Sequence, residues 1–303
     1  MFLVPELLGA GQAHASILPP NDLHLEDRIG RSDANIDEPL FRTLIERAVR
    51  HYQPLAEAHH AGLSADLDWE DPTVNAFAIH LGPVWIITMK GGLARRPEVT
   101  PDGFQLVVCH ELGHLFAGYP FKPSVLGGFS AVSVEGESDY FATQSCARAL
   151  WGRDQDENAR HASTVDPFAA TQCNRAWQQE ADRNLCYRIA DASQSLAGLL
   201  AALRNEPVPA FGLRDVGLIA RTSALHPAAQ CRLDTYLEGA LCGQTRDEAV
   251  IPGKWLSGNF GPLLDRYSER QARRQSCFSF GTFFEGARPR CWFAPVASAT
   301  SRD

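Results

Sequence analysis

Long apolar runs and long basic runs are both missing from this chain of 303 residues. No stretch approaches the roughly eighteen apolar residues that a membrane-spanning helix needs, so the sequence predicts no transmembrane segment. The net charge of -8 and the lack of a long basic run argue against a nucleic-acid partner. A glycine-rich phosphate loop and a Gly-x-Ser-x-Gly motif are also absent, so nucleotide use and serine-hydrolase chemistry have no support.

Methionine is scarce, with two residues, whereas cysteine occurs eight times. No two cysteines have the close C-x-x-C spacing of a structural zinc site, and six of them instead form local pairs of the kind that disulfides close. The expected pairs are Cys173 with Cys186, Cys231 with Cys242, and Cys277 with Cys291. Cys109 and Cys146 lie in apolar helical runs and are predicted to be buried free thiols. Although many connectivities remain open, this usage favours an oxidising, extracytoplasmic compartment, periplasmic or secreted.

The first residues, MFLVPELLGAGQAHAS, combine a short apolar run with a small-x-small pattern at Ala13 and Ala15. This pattern is like the end of a signal peptide, but the stretch lacks a basic start and contains Pro5 and Glu6. Two interpretations of residues 1–20 therefore stay open, a signal remnant or a loose N-terminal arm.

Periodicity and turn residues predict the main elements. Apolar residues with a helical period predict a helix from Glu38 to His60, and two β-rich runs split by Gly82-Pro83 predict a hairpin of Phe77–Leu81 and Val84–Met89. The other expected helices begin at Pro101, run from about Val134 to Trp151, fill most of 154–206, and run from His226 or Pro227 to Ala240. The last sixty residues are predicted to be irregular and to be linked by a Cys277–Cys291 disulfide.

The stretch VVCHELGHLFAG, Val107–Gly118, places His110 and His114 four residues apart on a predicted helix. Such residues project from one face, so both imidazoles can bind one zinc ion at about 2.0–2.1 Å. Glu111, rotated by about 100°, lies beside the metal and can take a proton from a zinc-bound water. Gly113 leaves room for a neighbouring backbone. The alternative is an amphipathic helix with two partly buried histidines.

A catalytic zinc site needs a third protein ligand, and VEGESDYFATQ offers one. Glu135 and Asp139 share a helical face, whereas Glu137 points elsewhere. Glu135 is the predicted third ligand, and Asp139 can accept the free N–H of a ligating histidine. Two alternatives remain: Glu137 is the ligand, or the acids form a solvated helix start favoured by the helix dipole.

HELGH followed by Glu-x-x-x-Asp resembles the gluzincin peptidases. More specifically, four blocks between about Asn75 and Leu237 resemble, in order and spacing, the HtpX-like and CAAX-prenyl-type zinc endopeptidases. The blocks are NAFAIHLGPVWIITMKGGLARR, FQLVVCHELGHLFAG, EGESDYFA and TSALHPAAQCRLDTYL. Many family members carry membrane-spanning helices and this chain has none, so their membrane-protein and prenylated substrates are not carried over.

The resemblance implies an α+β fold, mainly helical and zincin-like, with a small β-sheet over the active-site helix. It implies one zinc ion, a protein or peptide substrate, and hydrolysis of the peptide bond by a metal-activated water. The implied roles are ligation by His110, His114 and Glu135, general base catalysis by Glu111, a supporting role for Asp139, and packing of His226 and Arg232 against the site.

Two further groups complete the predicted site. His226 can donate to a developing oxyanion and Arg232 can pair with an acid such as Asp139, although a helix-capping histidine and a surface ion pair are the alternatives. A strand beside the cleft can bind an extended peptide, which makes its residues candidates for substrate binding; the alternative is an ordinary edge strand. These candidates are Asn75, Ala76, Phe77 and Ala78.

The expected organisation is an N-terminal arm or signal remnant in 1–20, a zinc metallopeptidase domain in 21–245, and a cysteine-containing C-terminal extension in 246–303. Residues 154–206 form a helical insert within the domain. Two other functions remain open: a binding or chaperone-like protein that keeps the fold, and a zinc hydrolase of another amide such as cell-wall material. The N-terminal arm or the insert could cover the cleft and keep the enzyme latent.

Overall fold

The computed structural model describes residues 13–19, 21, 23, 35–123, 129–254, 262–279 and 285–296. These residues form an α+β fold in which helices predominate and a small mixed sheet packs on one side. The helices are α1 (Glu38–Ala58), α2 (Gly91–Ala94), α3 (Pro101–Phe116), α4 (Glu135–Phe141), α5 (Ala147–Trp151), α6 (Gln155–Arg160), α7 (Pro167–Ala176), α8 (Glu180–Arg204), α9 (Ala229–Leu241) and α10 (Pro262–Arg274). A π-helical turn, Ala142–Cys146, joins α4 to α5, and a 3-10 turn, His161–Ser163, follows α6.

The larger sheet has four strands in the order β1, β3, β4, β2. Its strands are β1 (Ala13–Ser16), β2 (Gly62–Asp68), β3 (Ala76–Leu81) and β4 (Val84–Lys90), and β2 is parallel to β4 while the other pairs are antiparallel. The predicted hairpin is therefore confirmed, and Gly82 turns it with a φ of 57°. Strands β5 (Phe121–Pro123) and β6 (Phe129–Ser133) form a separate antiparallel pair.

Strand β3 lies inside the sheet, between β1 and β4, so the alternative of an ordinary edge strand at residues 75–78 is wrong. Residues 13–16 pair with it in register, Ser16 opposite Phe77 and Ala15 opposite Ala78. Residues 13–16 of the N-terminal arm thus form a strand of the sheet and not a loose tail. Residues 1–12, including the apolar run with Pro5 and Glu6, lie outside the described residues.

Helix α3 is the centre of the core, because it is buried from Gly103 to Phe116. Its start agrees with the prediction: Pro101 occupies the first turn and the Thr100 hydroxyl accepts a hydrogen bond from Gly103 N at 3.0 Å. Helices α1, α4 and α8 and strand β3 pack around it. Apolar residues lie on all sides of α3, which explains this central position, because such a helix must be covered everywhere.

The helix predictions hold for α1, for the run from Glu135 to Trp151, and for the helical content of 154–206. Two of them need correction. Helix α9 begins at Ala229, so His226 and Pro227 belong to the preceding loop. The last sixty residues are not uniformly irregular, because α10 forms there, with Ser268 and Ala272 buried on one face.

All eight cysteines are in disulfides: Cys109–Cys146, Cys173–Cys186, Cys231–Cys291 and Cys242–Cys277. Only the Cys173–Cys186 pair was predicted; the free thiols at 109 and 146 and the other two local pairs are wrong. Cys231 and Cys242 lie near opposite ends of α9, where a rise of about 1.5 Å per residue separates them by roughly 16 Å, too far for a disulfide. The four bonds are compatible with an extracytoplasmic protein.

Within the described ranges, no helix combines the length and apolar character needed to cross a membrane.

Candidate metal centre

Three side chains converge between α3 and α4. His110 and His114 project from one face of α3, Glu135 is the first residue of α4, and one donor atom from each lies within 4.8 Å of the others. His110 Nε2 is 3.2 Å and His114 Nε2 is 3.7 Å from Glu135 Oε2. Tetrahedral ligands at about 2.0–2.2 Å from zinc lie roughly 3.4 Å from each other, so this spacing suits a single metal ion.

The close approach of the two helices depends on Gly113. A Cβ atom at this position would lie 2.8 Å from Ser138 Cα and 2.9 Å from Ser138 O. A glycine is therefore required for the α4 backbone to pass next to α3, as the sequence suggested. This contact brings Glu135, three residues before Ser138, to the two histidines.

Each histidine is oriented by a hydrogen bond from its other ring nitrogen. His110 Nδ1 donates to Asp139 Oδ1 at 2.7 Å, and His114 Nδ1 donates to the Ser133 carbonyl at 2.8 Å, with Ser138 Oγ 2.9 Å away. Both Nε2 atoms are buried and have no hydrogen-bond partner among the described residues. A nitrogen held in this way is suited to ligate a metal, because the second hydrogen bond fixes the tautomer and the ring plane.

Asp139 is itself held from α9. Arg232 donates to both of its carboxylate oxygens, at 2.8 and 2.6 Å, and Tyr236 donates to Oδ1 at 2.6 Å. Burial would raise the pKa of Asp139, but Arg232 and His110 hold it below its ordinary value, so it stays ionised as an acceptor for His110. The predicted pairing of Arg232 is thus present and buried. Tyr236 was not predicted, although its position one turn after Arg232 places it on the same face of α9.

Glu111 lies beside the cluster and is fully buried. Neither carboxylate oxygen has a hydrogen-bond partner within the described part of the chain. Burial raises the pKa of Glu111 to about 8, against the opposing charge of His110. A carboxyl group whose pKa lies near neutrality can both accept and return a proton during a reaction.

Glu137, the alternative ligand, turns away from the cluster. Arg288 contacts both of its carboxylate oxygens, Nε to Oε2 at 2.6 Å and Nη2 to Oε1 at 2.7 Å, and both side chains are buried. Glu135 and Asp139 are fully buried as well, so the alternative of a solvated helix start is wrong.

His226 reaches the centre from the loop before α9. Its Nε2 lies 3.5 Å from Glu135 Oε1 and donates to the Ser16 carbonyl at 2.8 Å. Burial lowers its pKa, with the charge of Glu135 opposing. The residue does not cap α9, whose N-cap is Ala228, so the capping alternative is wrong.

Lys122 is a second neighbour that no sequence motif indicated. It lies on the short strand β5, and its Nζ is 2.5 Å from Glu135 Oε1. Burial would raise the pKa of Glu135, but His114, His110 and Lys122 hold it well below its ordinary value. The centre therefore contains an ionised carboxylate between imidazoles and an ammonium group.

The predicted substrate-binding residues Asn75–Ala78 face the N-terminal residues of the same chain. Asn75 Oδ1 accepts from Leu18 N, and Ala76 O accepts from Ile17 N, both at 3.4 Å. Phe77 and Ala78 pair with β1. Residues 75–78, which were expected to bind a peptide, thus contact residues 15–18 of the same chain.

Comparison of the chain with protein-family models, with curated proteins and with solved structures found no match. The geometry alone therefore defines the class of site: a buried cluster of two histidines and one glutamate that could hold a metal ion. The Nε2 atoms of His110 and His114 have no hydrogen-bond partner among the described residues and their tautomers are fixed, so both are suited to bind such an ion.

Proposed function

We propose that the chain is a zinc-dependent endopeptidase of the gluzincin type, similar to the HtpX-like and CAAX-prenyl-type enzymes. One observation carries the proposal: the donor atoms of His110, His114 and Glu135 converge in a buried cluster, with the unpartnered carboxylate of Glu111 beside it. Two imidazoles and one carboxylate are a common ligand set for catalytic zinc, which keeps a fourth position for water or substrate.

The roles follow from the contacts. His110, His114 and Glu135 would hold the zinc ion, which would polarise the carbonyl group of the substrate and lower the pKa of a water molecule toward about 7. Glu111 accepts the proton of that water and returns it to the leaving nitrogen. His226, which already donates to a peptide carbonyl, stabilises the negative charge that develops on the carbonyl oxygen.

The supporting residues keep the ligands in place. Asp139, held by Arg232 and Tyr236, fixes the His110 ring, and the Ser133 carbonyl fixes His114. Such hydrogen bonds to zinc ligands typically contribute about 10- to 100-fold to metal affinity or activity. Because the cluster is fully buried, these interactions act in a site with little competing water.

The test is the change Glu111→Gln. The variant should bind one zinc ion as tightly as the wild type, because Glu111 is not a ligand, but should lose at least about 100-fold in hydrolysis of casein, because the proton acceptor is gone. Zinc content after dialysis and release of casein peptides measure the two effects. Glu46→Gln, on the exposed face of α1, is the matched control and should keep both properties. Wild-type hydrolysis by Glu111→Gln would refute the mechanism.

A further inference from the structure

The N-terminal segment, defined here as Ala13–Leu18, lies beside the candidate metal centre, with Ala13–Ser16 extended and a bend at Ile17 and Leu18. Its first residues form β1, which pairs antiparallel with β3, and the residues that follow continue toward the centre. Two side chains of the centre hold its backbone: His226 donates to Ser16 O at 2.8 Å, and Arg232 Nη1 donates to Ile17 O at 2.7 Å. Strand addition to a sheet is a general way of binding a peptide.

The peptide bond between Ser16 and Ile17 lies near His226 and Glu111, the two residues that have catalytic roles in the proposed hydrolysis. Its carbonyl oxygen accepts from His226, the proposed donor to the oxyanion. Its N–H donates a hydrogen bond of 3.4 Å to Ala76 O, and the Ile17 backbone also interacts with Glu111, the proposed carrier of the proton to the leaving nitrogen. The bond thus lies next to the residues that the proposed mechanism uses.

The side chains of the segment are enclosed. Ala15 and Ser16 are small and buried, and Ile17 and Leu18 are 0% and 2% exposed. The cleft therefore accommodates small residues before the Ser16–Ile17 bond and branched aliphatic residues after it.

We propose that the Ser16–Ile17 peptide bond is the first substrate of this chain and is hydrolysed in cis. The inference rests on the proposed endopeptidase function and deepens it. Until the bond is cut, the N-terminal segment excludes other peptides from β3. The preferred external substrates are extended peptides with small residues before the cleaved bond and Ile or Leu after it.

The reaction is an ordinary hydrolysis and needs only water as co-reactant. The hydroxyl of the water forms a bond to the carbonyl carbon of Ser16, and the C–N bond to Ile17 breaks. Glu111 transfers the remaining proton to the nitrogen of Ile17. The products are a new carboxyl end at Ser16 and a new amino end at Ile17.

Intact mass spectrometry of the full chain tests the site of cleavage. The purified chain is incubated with and without zinc, beside Glu111→Gln. Zinc should convert the wild type to a form that begins at Ile17, with a first-order rate constant that dilution does not change, and Glu111→Gln should stay intact. A rate that rises with chain concentration would overturn cleavage in cis.

The small-x-small pattern at Ala13 and Ala15 makes a different prediction. A signal peptidase would cut after Ala15 and leave Ser16 as the first residue. If the chain begins at Ser16 with or without zinc, and also in Glu111→Gln, a signal peptidase has made the cut and the inference is overturned. The two products differ by one serine, which mass spectrometry resolves.

Amide hydrogen exchange in the zinc-free chain tests occupancy of the cleft without relying on activity. Ala15→Arg places a long cation where a small side chain is 1% exposed, so it should displace the segment and speed exchange in 76–81. Leu23→Arg is the matched control, because Leu23 is 38% exposed, and it should leave exchange unchanged. Equal exchange in Ala15→Arg and the wild type would overturn the inference.

Casein hydrolysis by Ala15→Arg separates this inference from the proposed function. If Ala15→Arg hydrolyses casein while the zinc-loaded wild type stays intact at Ser16–Ile17, the endopeptidase function stands and cleavage in cis is overturned. If both zinc-loaded proteins leave casein and their own chains intact, the proposed function fails and takes the inference with it.

Discussion

Gly113→Ala tests whether the contact between α3 and α4 sets the geometry of the metal centre. The new Cβ would lie 2.8 Å from Ser138 Cα, and carbon atoms prefer a separation of at least about 3.5 Å, so the α4 backbone must retreat by roughly 0.7 Å. Glu135 moves with α4. Since metal–ligand distances tolerate only about 0.2 Å, zinc affinity should fall at least about tenfold.

Stability should fall as well, but by less than the clash alone suggests. Overpacking a core typically costs about 1–3 kcal/mol, whereas alanine is favoured over glycine in a helix by about 1 kcal/mol. The free energy of unfolding of metal-free Gly113→Ala should therefore drop by about 1 kcal/mol. Gly198→Ala on α8 is the matched control, because a Cβ there meets nothing within 4 Å, and it should gain up to about 1 kcal/mol.

Urea unfolding of the metal-free proteins and zinc titration against a chelator of known affinity measure the two effects. If Gly113→Ala gained stability as Gly198→Ala does and bound zinc with wild-type affinity, the close crossing of the helices would not be what positions Glu135.

Two further predictions concern charges outside the ligand set. Arg288→Met leaves the Glu137 carboxylate buried and unpaired, so the free energy of unfolding measured in urea should fall by about 3–5 kcal/mol. Adding Glu137→Gln should restore much of this loss. Equal stability of the single and double variants would contradict the prediction. Hydrogen bonds that His161 donates to the carboxylates of Asp102 and Asp191 raise its pKa from 6.5 to about 9. Protonated His161 therefore stabilises the folded chain through these hydrogen bonds; this stabilisation is fully present below pH 6.5 and is lost as the pH rises through about 9. Solvent screening limits it to about 1–2 kcal/mol, and urea unfolding across this range should show a decline that His161→Gln lacks.

The parts of the centre that the sequence predicts are those governed by helical periodicity. His110 with His114, and Glu135 with Asp139, are each four residues apart, so their shared faces follow from local geometry. The role of Gly113 can also be predicted from the sequence, because a glycine between two ligands on a helix indicates that a neighbouring backbone passes close to that helix. The same local rules locate α1, α3 and the β3–β4 hairpin.

The features that were missed depend on contacts between distant parts of the chain. The strand at 13–16 is too short to show a period, and it becomes a strand only because β3 supplies its hydrogen bonds. Lys122 lies in a three-residue strand without a motif. The disulfide pairing failed because proximity in sequence does not give proximity in space, as the two ends of α9 demonstrate.

The Cys109–Cys146 disulfide connects the residue before the first ligand to the π-helical turn that follows α4. It can form only when α3 has packed against this helical run, which is the same packing that brings Glu135 to His110. Oxidation therefore fixes the packing that positions the ligands. The disulfide is thus a covalent link between the two segments that supply the ligands, and this link does not depend on a bound ion.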